Sequence, residues 1–109
     1  MDDMWVEPLF RTGGPGHTVA SSVTFRPGAL TAWHSHPLGE TLVVTAGTAL
    51  LQRWGGAIEE LHRGDTVWIA PGERHWHGAA AFSSATHVSL VDVPADGITE
   101  ESVRMACAE

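Results

Sequence analysis

The sequence has little positive charge, a single cysteine and no long apolar run. Six basic residues stand against thirteen acidic ones, and the net charge of -7 argues against a nucleic-acid or anionic-membrane partner, which would need a basic surface. The one cysteine, Cys107, cannot form an internal disulfide. No apolar run approaches the roughly 18 residues that a membrane-spanning helix requires, and the acidic start lacks the basic-then-apolar order of a secretion signal. We therefore expect a cytoplasmic protein.

The chain is long enough for one apolar core. Its 109 residues are 43% apolar, which predicts a single domain over residues 1–109 with a core at about 17–93. Glycine and proline punctuate short runs of Val, Thr, Ile, Leu and Trp, which suit half-buried strands. The predicted strands are 18–25, 31–36, 41–46, 48–53, 57–62, 66–69, 75–78 and 84–92. Eight short strands indicate an all-β sandwich or barrel.

Two local elements follow from turn and capping residues. Trp54–Ala57 predicts a tight hairpin, because glycine supplies the positive φ of a primed turn. At the end of the chain, Thr99 is placed to cap a short helix, with Arg104 near its last turn. Four tryptophans are expected to be packing residues: Trp5, Trp54, Trp68 and Trp76.

Three histidines and a glutamate are spaced as metal ligands. His34 and His36 are two apart, so both imidazoles project from the same face of a strand. The turn after them brings Glu40 to the start of the next strand, from where a carboxylate can reach the same ion. His75 follows the turn 71–74. Three imidazoles and one carboxylate suit Mn, Fe, Co, Ni, Cu or Zn better than Mg or Ca. On an octahedral ion they would leave two positions for water or substrate.

The sequence resembles the cupin family. Its first motif, Gly-x5-His-x-His-x3,4-Glu-x6-Gly, is matched by Gly28, His34, His36, Glu40 and Gly47. Its second motif is matched by Gly64, Gly72 and His75, with Ala70 at the usual proline and Ala79 at the usual asparagine. The resemblance implies a single-domain jelly-roll β-barrel with a short C-terminal helix or tail, and it implies the same four metal ligands.

A closer similarity covers about residues 5–93. The segments 31–39 and 71–80 are similar to small bacterial manganese cupins that act as (R)-selective hydroxynitrile lyases. This similarity implies manganese as the first choice of cofactor, with Fe, Ni, Co or Zn as alternatives. In those lyases glutamine is common at the position of Glu40, and an anionic ligand makes the metal a weaker Lewis acid.

Two further histidines are candidates for the chemistry. His77 shares strand parity with His75 and is expected in the interior, either as a core imidazole or in contact with substrate. By resemblance, His87 matches the proton-transferring histidine of the lyases, and its alternative is a hydrogen-bonded interior residue. Parity places Ser89 on the same face as His87. We expect His17 and His62 to be solvated.

These observations predict a metal-dependent enzyme acting on a small molecule. The first hypothesis is hydroxynitrile lyase-like cleavage or addition at a cyanohydrin or aldehyde, with His87 and His77 as catalytic residues. The alternatives are a dioxygenase using Fe or Mn and O₂, and a non-catalytic module that binds or senses a small ligand. An isolated barrel of this size exposes sheet edges, and the resemblance implies pairing, since cupins usually associate. We therefore expect a homodimer or homotetramer.

Overall fold

The computed structural model describes residues 3–13 and 17–94, which form seven β-strands and no helix. The helix predicted after Thr99 lies outside these ranges. Among the described residues there is no helix with the length and apolarity to cross a membrane. The strands are β1 (Met4–Arg11), β2 (His17–Phe25), β3 (Glu40–Arg53), β4 (Ile58–His62), β5 (Thr66–Ile69), β6 (His75–Ala79) and β7 (Ala85–Val93).

Two antiparallel sheets share the long strand β3. Its first half lies between β7 and β5, which gives a five-stranded sheet in the order β1-β2-β7-β3-β5. Its second half lies between β4 and β6, which gives a three-stranded sheet. An irregularity between Val44 and Ala46 marks the bend at which β3 passes from one sheet to the other. The all-β jelly-roll prediction is therefore confirmed.

The barrel interior follows from the alternation of side chains along the strands. Every second residue of β2 and β7 is buried, and the same parity holds along the first half of β3. The apolar part of this interior is a cluster whose fully buried members include Phe25, Leu42, Val44 and Leu51. Burying a side chain of this size stabilises the fold by about 1.5–3 kcal/mol. In the described ranges seven polar side chains are also buried: Ser21, His36, Glu40, His75, His77, His87 and Ser89.

Three of the predicted strands differ in the structure. The segment 31–36 is a loop, held to β6 by bridges at Leu30–Gly78 and His34–His75. The predicted strands 41–46 and 48–53 are one strand, because Gly47 bends the chain inside β3 rather than ending it. Strand β1 was not predicted, since Pro8 interrupts its pattern. An edge strand tolerates proline because one side of its backbone needs no partner.

The turn at Trp54–Ala57 joins β3 to β4 as predicted. The Gly56 N–H donates to the Arg53 carbonyl at 2.9 Å, and Gly55 has a φ of +81°. A primed turn would require a positive φ at Trp54, the second residue of the turn. No described residue other than glycine has a positive φ, so the turn is not of the primed type.

Three of the four tryptophans expected in the core are exposed. Trp76 is buried, but the exposed fractions of Trp5, Trp54 and Trp68 are 53%, 63% and 54%. Their strands have one face on the solvent, and strand parity places these side chains there. The packing prediction was wrong for these three residues.

Gly47 predicts a large effect on stability. A Cβ added there would lie 1.9 Å from the Ser84 carbonyl oxygen, and its φ is +72°. We expect Gly47→Ala to lower the free energy of unfolding by about 2–5 kcal/mol, since strain and overlap add. The matched control is Gly55→Ala, where φ is also positive but nothing lies within 4 Å of the added carbon. Equal losses in urea denaturation of the two variants would contradict this account.

Candidate metal centre

Five interior side chains from three elements meet at one end of the barrel. His34 and His36 lie on the loop between β2 and β3, and Glu40 is the first residue of β3. His75 and His77 alternate along β6. The bridge between His34 and His75 fixes the loop against β6, with two backbone hydrogen bonds of 2.9 Å. A loop and two strands therefore present donor groups to the same space.

Four of these side chains form a compact donor cluster. Each of His34, Glu40, His75 and His77 offers one donor atom, and the four atoms all lie within 4.8 Å of one another. The predicted ligand His36 lies beside the cluster, with its Nε2 atom 3.7 Å from Glu40 Oε1. The structure thus brings the four predicted ligands together and adds His77. Which three imidazoles bind an ion stays a prediction.

Backbone carbonyls orient two of the imidazoles. His34 Nδ1 lies 2.8 Å from the Ala32 carbonyl oxygen, and His75 Nδ1 lies 2.9 Å from that of Glu73. A carbonyl only accepts hydrogen bonds, so both Nδ1 atoms carry the proton and donate it. This leaves the Nε2 lone pairs of His34 and His75 for an ion, which is the usual orientation of histidine ligands.

Glu40 is a fully buried carboxylate that stays ionised. Burial opposes its charge, but the hydrogen bond with His75, the charges of His77 and His36 and the hydrogen bond from Ser89 outweigh burial and lower the pKa of Glu40 to about 2. The Ser89 hydroxyl donates to Oε2 at 2.5 Å.

The contact between Glu40 and His75 requires a positive charge. Oε1 of Glu40 lies 3.0 Å from Nε2 of His75, whose Nδ1 already donates to a carbonyl. A neutral His75 would therefore point a lone pair at a carboxylate. Either a second proton on the ring or a cation near both atoms resolves the repulsion. A buried anion among imidazoles fits a divalent transition-metal ion, and the donor set is of the kind that binds Mn, Fe, Co, Ni or Zn.

His87 lies behind His77 and completes the interior histidine cluster. Its Nε2 atom is 3.1 Å from His77 Nδ1, so one ring donates to the other. Burial lowers the pKa of His87 to about 4, against the opposing effects of the Glu40 charge and of the Val88 backbone. The Phe25 ring packs on both imidazoles, with centroids 5.7 Å from His77 and 5.6 Å from His87.

The structure also shows what the sequence analysis missed. The hydrogen bond from Ser89 to Glu40 was not predicted, although parity had placed Ser89 on the face of His87. The carbonyl partners of the ligands carry no side-chain signal and could not be found from residue types. His62 is exposed beside Glu60, and His17 contacts the Thr12 carbonyl; both lie away from the cluster.

Substitution can decide whether His36 or His77 is the third imidazole ligand. Donor atoms bound to one ion at about 2.1 Å lie at most about 4.2 Å apart, and the 3.7 Å between His36 and Glu40 meets this limit. The motif spacing names His36 rather than His77 as the third imidazole ligand. We therefore expect His36→Ala to lose stoichiometric metal and His77→Ala to keep it, as measured by metal analysis after dialysis. The opposite pattern would make His77 the third imidazole ligand.

The fold is a small β-barrel with a candidate metal site in its interior, and comparison with known proteins gives its family. The cupin domain model matches residues 21–93, which is most of the chain. The chain belongs to the cupin family.

Individual relatives agree with this assignment. The chain is 56% identical over 85 residues to an (R)-mandelonitrile lyase of Granulicella tundricola; the match covers 78% of this chain and 65% of that protein, slightly less than two thirds of its length. A cupin-like protein of Thermotoga maritima is 35% identical, with a TM-score of 0.73 over 94% of this chain and 84% of its own. A DMSP lyase of Ruegeria pomeroyi shares the fold, with 23% identity and a TM-score of 0.71 over 91% of this chain and 55% of its own.

Proposed function

We propose that this protein is a metal-dependent lyase that cleaves or forms small cyanohydrins. The observation that carries the proposal is the buried cluster of His34, Glu40, His75 and His77 beside His87, in a chain 56% identical to an (R)-mandelonitrile lyase. The cluster would hold a metal ion that acts as a Lewis acid, and the neighbouring imidazole of His87 would supply a proton acceptor. Manganese is the metal we propose, on the strength of the resemblance.

Different side chains would bind the metal ion and transfer the proton. A divalent ion held by His34, His36, Glu40 and His75 would act as a Lewis acid toward the substrate hydroxyl. His87, neutral because of its burial, accepts the hydroxyl proton as the bond between the carbinol carbon and the nitrile carbon breaks. The bonding electrons leave with cyanide, which takes up the proton as hydrogen cyanide, and an aldehyde remains. His77 orients His87 through their hydrogen bond.

A cavity lined in part by Phe25, which also packs on two of the interior histidines, is a candidate place for the organic part of the substrate. It has a volume of about 200 Å³ and lies between the start of β1 and the loop before His34. Phe25 and Leu30 are among its lining residues, and Phe25 also contacts His77 and His87. An apolar cavity of about 150 Å³ accepts benzene, so a phenyl-sized group fits here. This supports a small aromatic cyanohydrin as substrate.

The test is benzaldehyde release from racemic mandelonitrile at mildly acidic pH, where the uncatalysed reaction is slow. We expect manganese-loaded protein to release benzaldehyde faster than the metal-free protein, with preference for one enantiomer. The two protein samples should differ only in metal. If metal-loaded protein gives no more benzaldehyde than the metal-free control, the lyase proposal is wrong. Oxygen consumption and equilibrium ligand binding would then examine the dioxygenase and binding-module alternatives.

A further inference from the structure

One buried hydroxyl in the barrel lacks a hydrogen-bonding partner. Ser21 is 1% exposed, and within the described part of the chain its Oγ atom makes no hydrogen bond. Its interior neighbours along β2 are Val19 and Val23, which offer no polar group. A buried hydroxyl without a partner is destabilising, and native structures satisfy such groups by protein, water or ligand.

The strand register places Ser21 beside the metal centre. Ser21 pairs directly with Ser89 of β7, whose hydroxyl donates to Glu40 at 2.5 Å. Directly opposed residues bring their Cβ atoms to about 4.5–5.5 Å. His87 pairs with Val23, so it is the diagonal neighbour of Ser21. The Ser21 side chain therefore lies in the barrel interior next to Ser89, which binds Glu40, and diagonally across from His87.

We propose that Ser21 binds a second polar group of the substrate, on the carbon that carries the reacting hydroxyl. The position of that hydroxyl rests on the proposed function. The substrate class is then a small neutral molecule with a hydroxyl and a hydrogen-bonding substituent, such as a nitrile or a carbonyl, on one carbon. Ser21 is a specificity-determining residue in this scheme, since its hydroxyl distinguishes such molecules from simple alcohols.

The test compares two inert molecules of similar shape. Lactamide carries an amide beside its hydroxyl, and 3-methyl-2-butanol replaces the amide by an isopropyl group. Binding to manganese-loaded protein is measured by the paramagnetic relaxation of ligand protons, which needs no turnover. We expect Ser21→Ala to weaken lactamide binding by about three- to tenfold, the effect of one neutral hydrogen bond. Binding of 3-methyl-2-butanol should not change.

The control is Ser22→Ala, on the same strand but with its side chain on the outer face of the sheet. It should leave the binding of both ligands unchanged. Equal effects of Ser21→Ala on the two ligands, or no effect on lactamide, would overturn the proposal. Failure of the lyase proposal is a separate result, since it would appear as no benzaldehyde from wild-type protein while the selectivity for lactamide still depended on Ser21.

Discussion

His34→Ala removes the metal from a barrel that still folds. The imidazole is held by the Ala32 carbonyl at 2.8 Å and belongs to the donor cluster, but it lies on a loop rather than in one of the seven strands. Loss of this ligand should weaken metal binding by at least about 100-fold, since disturbing even the groups around a ligand costs 10–100-fold. Metal analysis after dialysis, with circular dichroism to check the fold, measures the effect.

The control for this prediction is His62→Ala. His62 is an exposed imidazole outside the cluster, with a side chain that is 61% exposed. Its loss should leave one ion per chain. Equal metal content in the two variants would mean that the ion binds elsewhere than in the barrel interior. His75→Ala should lose the metal too, but with a lower melting temperature, because Glu40 would lose its buried partner.

His87→Ala keeps the metal and loses the reaction. His87 is 1% exposed and is hydrogen-bonded at 3.1 Å to His77, which is not one of the four predicted ligands, so its removal leaves those ligands in place. A positioned proton acceptor contributes about 10²–10⁴ to a rate, and we expect benzaldehyde release to fall by that factor. The measurement is kcat for mandelonitrile at saturating manganese, together with the metal content of the variant.

The control here is His17→Ala, which changes a histidine at the start of β2 away from the cluster. It should retain wild-type turnover. Wild-type turnover in His87→Ala would remove the role given to this residue, and loss of metal in that variant would make its role structural.

The fold could be predicted because glycine and proline mark most of the turns. The motif spacing brought His34, Glu40 and His75 together, since a jelly roll fixes where a loop, β3 and β6 meet. The segment 31–36 was predicted as a strand because its alternation is that of a strand. In the structure it is a loop whose backbone forms hydrogen bonds with β6.

Other features depend on pairings that residue types do not reveal. The hydrogen bond from Ser89 to Glu40 requires the register of β7 against β3, which is set by the whole sheet. The isolated hydroxyl of Ser21 could not be recognised for the same reason. The exposure of Trp54 and Trp68 was missed because large apolar residues are expected inside, whereas much of a folded surface is apolar.

Titration of metal-free protein with Mn²⁺, followed by electron paramagnetic resonance, shows whether the barrel interior binds the ion. Nitrogen couplings in the pulsed spectrum identify imidazole ligands. We expect one tightly bound ion per chain with histidine nitrogens coordinated to it, and loss of these couplings in His34→Ala. Weak binding of several ions without nitrogen couplings would place manganese on surface carboxylates and contradict the metal centre.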